Sequence, residues 1–157
     1  MKVRRFEELI AWQKARQLAN TIHRLTRQSE FAKDFRLCDQ ILDAAGSVMH
    51  NTAEGHDAGT DPEFVRFLKM ARRSASEVQS ELYLALDRGY ITEQELKVAY
   101  DLADEVKRLI NGLIGYLHTK GQKPGYRISE EQEEYLAEEH LTPLPDDFYQ
   151  STNPPSA

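Results

Sequence analysis

Between Leu96 and Leu117 the apolar residues Leu96, Ala99, Ala103, Val106, Ile110, Leu113 and Leu117 recur at steps of three and four in strict alternation. That spacing keeps one stripe on one side of an α-helix and is the seam of a helix packed against other helices. No strand can use it, because alternate residues of a strand point to opposite faces. Three further segments carry the same periodicity. A first helix is predicted from about Phe6 to Gln28, with Phe6, Leu9, Ile10, Ala15, Leu18, Ile22 and Leu25 on one face. Ser29 to Lys33 reads as a short connection, and Asp34 as the cap of a second helix reaching about Glu54, with Leu37, Ile41, Ala44, Ala45, Val48 and Thr52 inward. A third is predicted over Asp61–Asp87, with Phe64, Phe67, Leu68, Ala71, Ala75, Val78, Leu82 and Leu86 inward. Four helices with short connections predict an all-α fold, an antiparallel up-down-up-down four-helix bundle over residues 1–120.

The punctuation agrees. Gly55 is placed to close the second helix, Thr60 to cap the third with Glu63 as its capping-box partner, and Pro62 fits a first turn. Gly89 closes the third helix, and Thr92 with Glu95 forms another capping box. Gly46, inside the second helix, is expected to allow close helix approach. Trp12 lies off the centre of its stripe, either flanking the core or meeting a neighbouring subunit. A second row on the fourth helix, Leu102, Leu109 and Tyr116, widens its apolar surface and suggests a partner copy.

Charge divides the chain in two. Residues 121–157 hold Lys123 and Arg127 against eight acids, the whole of the net charge of −6. They form an acidic, proline-containing C-terminal tail, in which a short helix over 130–140 is expected and the remainder extended or disordered. Phe148 and Tyr149 near its end are either docking anchors or solvated. Residues 1–28 carry seven basic side chains against two acidic ones. Lys14, Arg16, Arg24 and Arg27 of the first helix, with Arg66, Lys69, Arg72 and Arg73 of the third, are therefore the candidate nucleic-acid-binding residues, since basic stripes attract phosphates without reading sequence. The alternative is a solvated charged face.

Chemistry is sparsely encoded. One cysteine, Cys38, excludes an internal disulfide and a cysteine-based zinc site, and reads as a small, partly buried thiol. The paired Glu-x-x-His motifs of di-metal bundles are missing, as are a phosphate loop and nucleophile–base signatures. No catalytic residue, metal ligand or cofactor is expected, no membrane span occurs, and the N-terminus lacks a signal peptide, so the cytoplasm is the expected compartment. Gln40, Ser47, Asn51, Glu54, Ser74 and Glu77 lie on or beside the apolar stripes and predict a buried polar joint between the second and third helices.

These residues carry a resemblance. Phe6, Leu9, Trp12 and Ala15, then Gln40-Ile41, Ala44, Ser47-Val48 and Asn51-Thr52-Ala53-Glu54-Gly55, resemble the bacterial four-helix-bundle proteins encoded in intervening sequences of 23S ribosomal RNA genes. Glu63-Phe64, Arg66-Phe67-Leu68, Ala71, Ser74-Ala75, Glu77 and Leu82 continue the match. The group includes the accessory variability protein of diversity-generating retroelements. The resemblance implies a homopentamer of antiparallel bundles and, for the retroelement branch, binding to nucleic acid and a reverse transcriptase. Two positions depart from the family pattern: Val48-Met49-His50 replaces Ile-Pro-Ser, so the second helix should be straighter, and Arg73 replaces a glycine. Function then reads as a non-enzymatic oligomeric accessory protein binding structured RNA or an RNA–protein complex. The alternative is a protein-interaction scaffold whose tail recruits a partner.

Overall fold

The computed structural model describes residues 3–120; the acidic tail and the helix expected over 130–140 lie outside the described residues. Four α-helices follow one another: α1 (Ile10–Thr26), α2 (Phe35–Asp57), α3 (Asp61–Asp87) and α4 (Glu93–Lys120). Neighbours in sequence pack side by side, and α4 closes on α1, so α1 and α3 stand diagonally across an all-α, up-down-up-down bundle.

The first helix starts later than its apolar spacing suggests. Phe6–Glu8 form a 3-10 turn, and Leu9 is extended (φ −72°, ψ 121°) and turned into the core before α1 begins. No side-chain cap serves this start; instead Gln13 Nε2 donates to Glu7 O at 2.8 Å and ties the turn to the helix. Trp12 flanks the core, half-buried and edge-on to Phe6 at 5.1 Å. The connection to α2 also holds more structure than expected. Phe31 is fully buried (0% exposed) in a second 3-10 turn, Phe31–Lys33, and stacks on Tyr90 at 5.4 Å, plugging one end of the bundle. The Cys38 thiol, buried here, donates to Phe31 O at 3.1 Å, and burial pushes its pKa up.

The caps follow the sequence, only in part at Thr60, with one outright exception. Asp34 Oδ1 accepts from Leu37 N at 3.1 Å and starts α2, while Oδ2 accepts from Arg88 Nη1 at 2.7 Å and Tyr90 Oη at 3.1 Å. Gly89 (φ +73°) ends α3, with Tyr90 N donating to Ala85 O at 2.9 Å, the six-to-one bond of a Schellman motif. Thr92 and Glu95 form the full capping box: Thr92 N donates to Glu95 Oε2 at 2.8 Å and Glu95 N to Thr92 Oγ1 at 3.2 Å. Thr60 caps α3 by accepting from Glu63 N at 3.4 Å, but Glu63 returns to the Thr60 hydroxyl at 3.2 Å rather than to its backbone.

The exception is Gly55, which does not close α2. The helix runs on to Asp57, and the left-handed residue is Gly59 (φ +86°). Gly55 acts by its size: a Cβ there would fall 2.8 Å from both Phe64 Cδ2 and Phe67 Cβ. Gly46 is not the close-approach residue, because its Cβ would meet only the His50 ring, at an ordinary 3.6 Å.

The core divides into two apolar clusters, one around Ala15, Leu68, Val106 and Ile110, the other around Ile22, Ile41, Val78 and Leu82. The second row on α4 does not form a free surface. Leu109 is 7% exposed within the first cluster, and half-buried Tyr116 and Leu102 pack against the chain's own clusters. Row and seam together are what a helix needs to face both its neighbours and the bundle axis.

Candidate nucleic-acid interface

The basic residues of α3 lie along its outer side and its border with α4. Arg66 is exposed, its guanidinium 4.9 Å from the Phe67 ring centroid, a cation–π contact that holds the side chain against the helix. Arg73 is exposed, and Lys69 and Arg72 are half-buried at the α3–α4 seam. Arg72 Nη1 donates to Asn111 Oδ1 at 2.8 Å, which orients the guanidinium across the seam. α4 contributes cations that the sequence reading passed over. Lys107 Nζ donates to Gln79 Oε1 at 3.1 Å, and the half-buried His118 has its pKa lowered, by burial first and then by the Lys69 charge. Arg108 is paired with Asp104 and Lys120 with Asp61 at 3.5 Å, so these add little net field.

Helix α1 does not join this face. Lys14 is in an ion pair with Glu105 at 3.1 Å, the Arg16 guanidinium lies 6.0 Å from the Trp12 ring, and Arg24 Nη2 donates to Thr21 Oγ1 at 3.2 Å. Arg16, Arg24 and Arg27 are exposed on the helix diagonal to α3. The eight candidate residues thus form two separate stripes.

The polar joint shrinks to three members. Asn51 Nδ2 donates to Ser47 O at 2.8 Å and to Ser47 Oγ at 2.9 Å, and Ser74 Oγ donates to Ser47 Oγ at 3.0 Å. All three are half-buried. Gln40, Glu54 and Glu77 are exposed, one helical step outside the α2–α3 contact. The buried polar group on this side is one the sequence reading missed. Glu81 is 7% exposed, its Oε2 has no hydrogen-bond partner among the described residues, and burial, aided by the nearby Glu77 charge, pushes its pKa up to about 7. Ser74 and Glu81 are one heptad apart, and that interval, continued from Ser74, is the signal that would have found it.

His50 and Glu54 are both exposed, and among the described residues no group of three or more His, Cys, Asp or Glu side chains is placed to hold a metal ion. No described helix is long and apolar enough to cross a membrane.

No curated protein matches the chain. A solved structure from Bacteroides thetaiotaomicron, described as a protein of unknown function from the S23 ribosomal protein family, superposes with a TM-score of 0.63 at 24% identity, covering 67% of this chain and 98% of its own. That likeness concerns the fold. The pattern of the 23S rRNA-intervening sequence proteins matches residues 7–112, which takes in residues 51–55 near the end of α2, the basic run of α3 and most of the α4 seam. By that match the chain belongs to the family of 23S rRNA-intervening sequence proteins.

Proposed function

We propose that this family member is a non-enzymatic, oligomeric accessory protein that binds structured RNA, alone or in an RNA–protein complex, through the α3–α4 seam. The observation that carries the reading is the set Arg66, Lys69, Arg72 and Arg73 along one border of the bundle, with Asn111 orienting Arg72 and Lys107 adding charge from α4. Such a border offers positions for phosphates and no base-reading apparatus, so recognition rests on shape and backbone charge. A homopentamer, as the family resemblance implies, repeats the stripe five times, and weak contacts per subunit then sum by avidity. A reverse transcriptase is the protein partner that fits a retroelement setting.

The test has two parts. Light scattering on the full chain should give about five times the 18.1 kDa mass. Structured RNA should bind at low salt and weaken steeply as salt rises, and Arg66→Gln with Arg73→Gln should flatten that dependence by about two phosphate contacts. A monomer refutes the assembly. Failure to bind RNA at low salt transfers the function to the scaffold reading, which the equal numbers of acidic and basic residues over 1–120 favour.

A further inference from the structure

The outermost line of α4 carries Gln94, Asp101, Arg108 and Gly115, one every seven residues. The first three are exposed, as a solvent-facing heptad position requires, but Gly115 is buried, and so is Gly112 beside it. A helix-interior glycine costs about 1 kcal/mol against alanine, so two within one turn are an expensive choice on an outer face. Close packing inside the bundle does not explain Gly115: a Cβ there would meet nothing within 4 Å among the described residues. Among the described residues, then, nothing fills the space outside Gly115, and the crease there is open to one more side chain. Beside this crease run the seam residues Asn111 and Arg72, joined at 2.8 Å.

α4 ends where a covering segment would have to begin. Lys120 Nζ lies 3.5 Å from Asp61 Oδ2, at the start of α3. Arg66 to Arg73 follow five to twelve residues along α3, which at about 1.5 Å per residue is roughly 8–18 Å away. In sequence, residues 121–129 separate Lys120 from a run holding six acids, Glu130, Glu131, Glu133, Glu134, Glu138 and Glu139. Nine extended residues reach about 30 Å, so that run can meet all four cations. The same run offers apolar side chains, Tyr135 and Leu136, of the kind a glycine crease accepts.

We propose that residues 121–157 dock on the outer side of the α3–α4 seam, an apolar side chain seated against Gly115 and the acidic run set against Arg66, Lys69, Arg72 and Arg73. A segment tethered this closely acts at an effective concentration of about a millimolar, so it competes with any polyanion for the same charges. Docking stands on the crease, the tether and the charge. Its consequence, that the tail screens the seam from all but a strongly binding RNA, rests on the proposed RNA binding.

The experiment uses the full chain. A spin label on Arg108→Cys, one heptad from Gly115, should broaden the amide signals of residues 130–139 at low salt. The broadening should vanish at about 1 M salt, where charge pairs are screened within about 3 Å. It should also vanish when the six glutamates are replaced by glutamine. Unbroadened tail signals at low salt overturn the docking, whatever RNA does. Structured RNA then separates the two readings. If the tail docks and the six-glutamine chain binds RNA about tenfold more tightly at low salt, with the gain shrinking as salt rises, both stand. If the tail docks and neither chain binds RNA, docking stands and RNA binding falls.

Discussion

Gly46 and Gly55 lie nine residues apart in α2, and the structure assigns them opposite responses to the same substitution. Replacing either glycine by alanine removes about 1 kcal/mol of helix-propensity cost. At Gly46 the new Cβ meets only the His50 ring at 3.6 Å, an ordinary contact. Gly46→Ala should therefore stabilise the bundle by about 0.5–1 kcal/mol. At Gly55 the new Cβ falls 2.8 Å from Phe64 Cδ2 and from Phe67 Cβ. The Phe64 ring can tilt, but Phe67 Cβ moves only with the α3 backbone, and an overpacked contact of that kind costs about 1–3 kcal/mol. The net for Gly55→Ala is a loss of up to about 2 kcal/mol, so the variants should differ by about 1–3 kcal/mol. Urea unfolding followed by circular dichroism measures this directly. With a slope of about 1–3 kcal/mol per molar, the midpoints should separate by roughly 1 M, Gly46→Ala above the parent and Gly55→Ala below it. Parallel shifts of similar size in both variants would show that α3 does not approach Gly55 closely, and the assignment of Gly55 to close packing would fall with it.

Further outcomes follow from the polar groups. Glu81 has a folded pKa of about 7 against 4.5 for the free side chain, so its contribution is fully present below the free value and lost as pH rises through about 7. Glu81→Gln should match the parent near pH 4 and exceed it by about 1–2 kcal/mol at pH 8, after allowance for solvent screening. The lowered pKa of His118 acts with the opposite sign as pH falls, so the parent–variant difference is the quantity to read, and a flat difference refutes the burial of the carboxylate. Asn51→Leu should cost no more than about 1 kcal/mol in urea unfolding, because half-buried Ser47 can turn to water; a loss above about 3 kcal/mol would mean the joint is sealed from solvent. Arg16→Gln, Arg24→Gln and Arg27→Gln together should leave the affinity of one subunit for a short RNA duplex within about twofold, whereas Arg66→Gln with Arg73→Gln should reduce it severalfold at low salt. Equal losses would place both stripes on one binding surface.

Helix number, order and most caps were legible because each rests on short-range rules: apolar steps of three and four, Thr92 three residues before Glu95, Gly89 at the end of α3. Gly55 and Gly46 were misassigned because a glycine's local sequence does not distinguish freedom of φ from lack of a side chain. The distinction lies in what approaches it from 9 to 12 residues away, here Phe64 and Phe67. Phe31 escaped because a single aromatic in a five-residue connection has no periodicity to expose it, though it plugs the bundle end. The polar joint was half legible for a geometric reason. Ser47, Asn51 and Ser74 are small enough to sit at the α2–α3 border and bond there, whereas Gln40, Glu54 and Glu77 lie one step outward, in water. Glu81 was missed because a carboxylate is expected outside.

The two basic stripes show how topology changes what a charge pattern means. In the sequence, Lys14 to Arg27 and Arg66 to Arg73 look like halves of one polyanion site. In an up-down-up-down bundle the first and third helices are diagonal, so side chains exposed on α1 point away from those exposed on α3. Bundle helices pack 8–10 Å from their neighbours, which puts a diagonal pair about 13 Å apart before the outward-pointing side chains are added. A rigid duplex against one subunit therefore meets one stripe. The seam stripe has what the other lacks: a hydrogen bond from the neighbouring helix that orients Arg72, through Asn111, and an added cation, Lys107. Charge on α1 is partly paired with Glu105 and stacked near Trp12, so in one subunit it presents a weaker and less ordered field than the seam stripe.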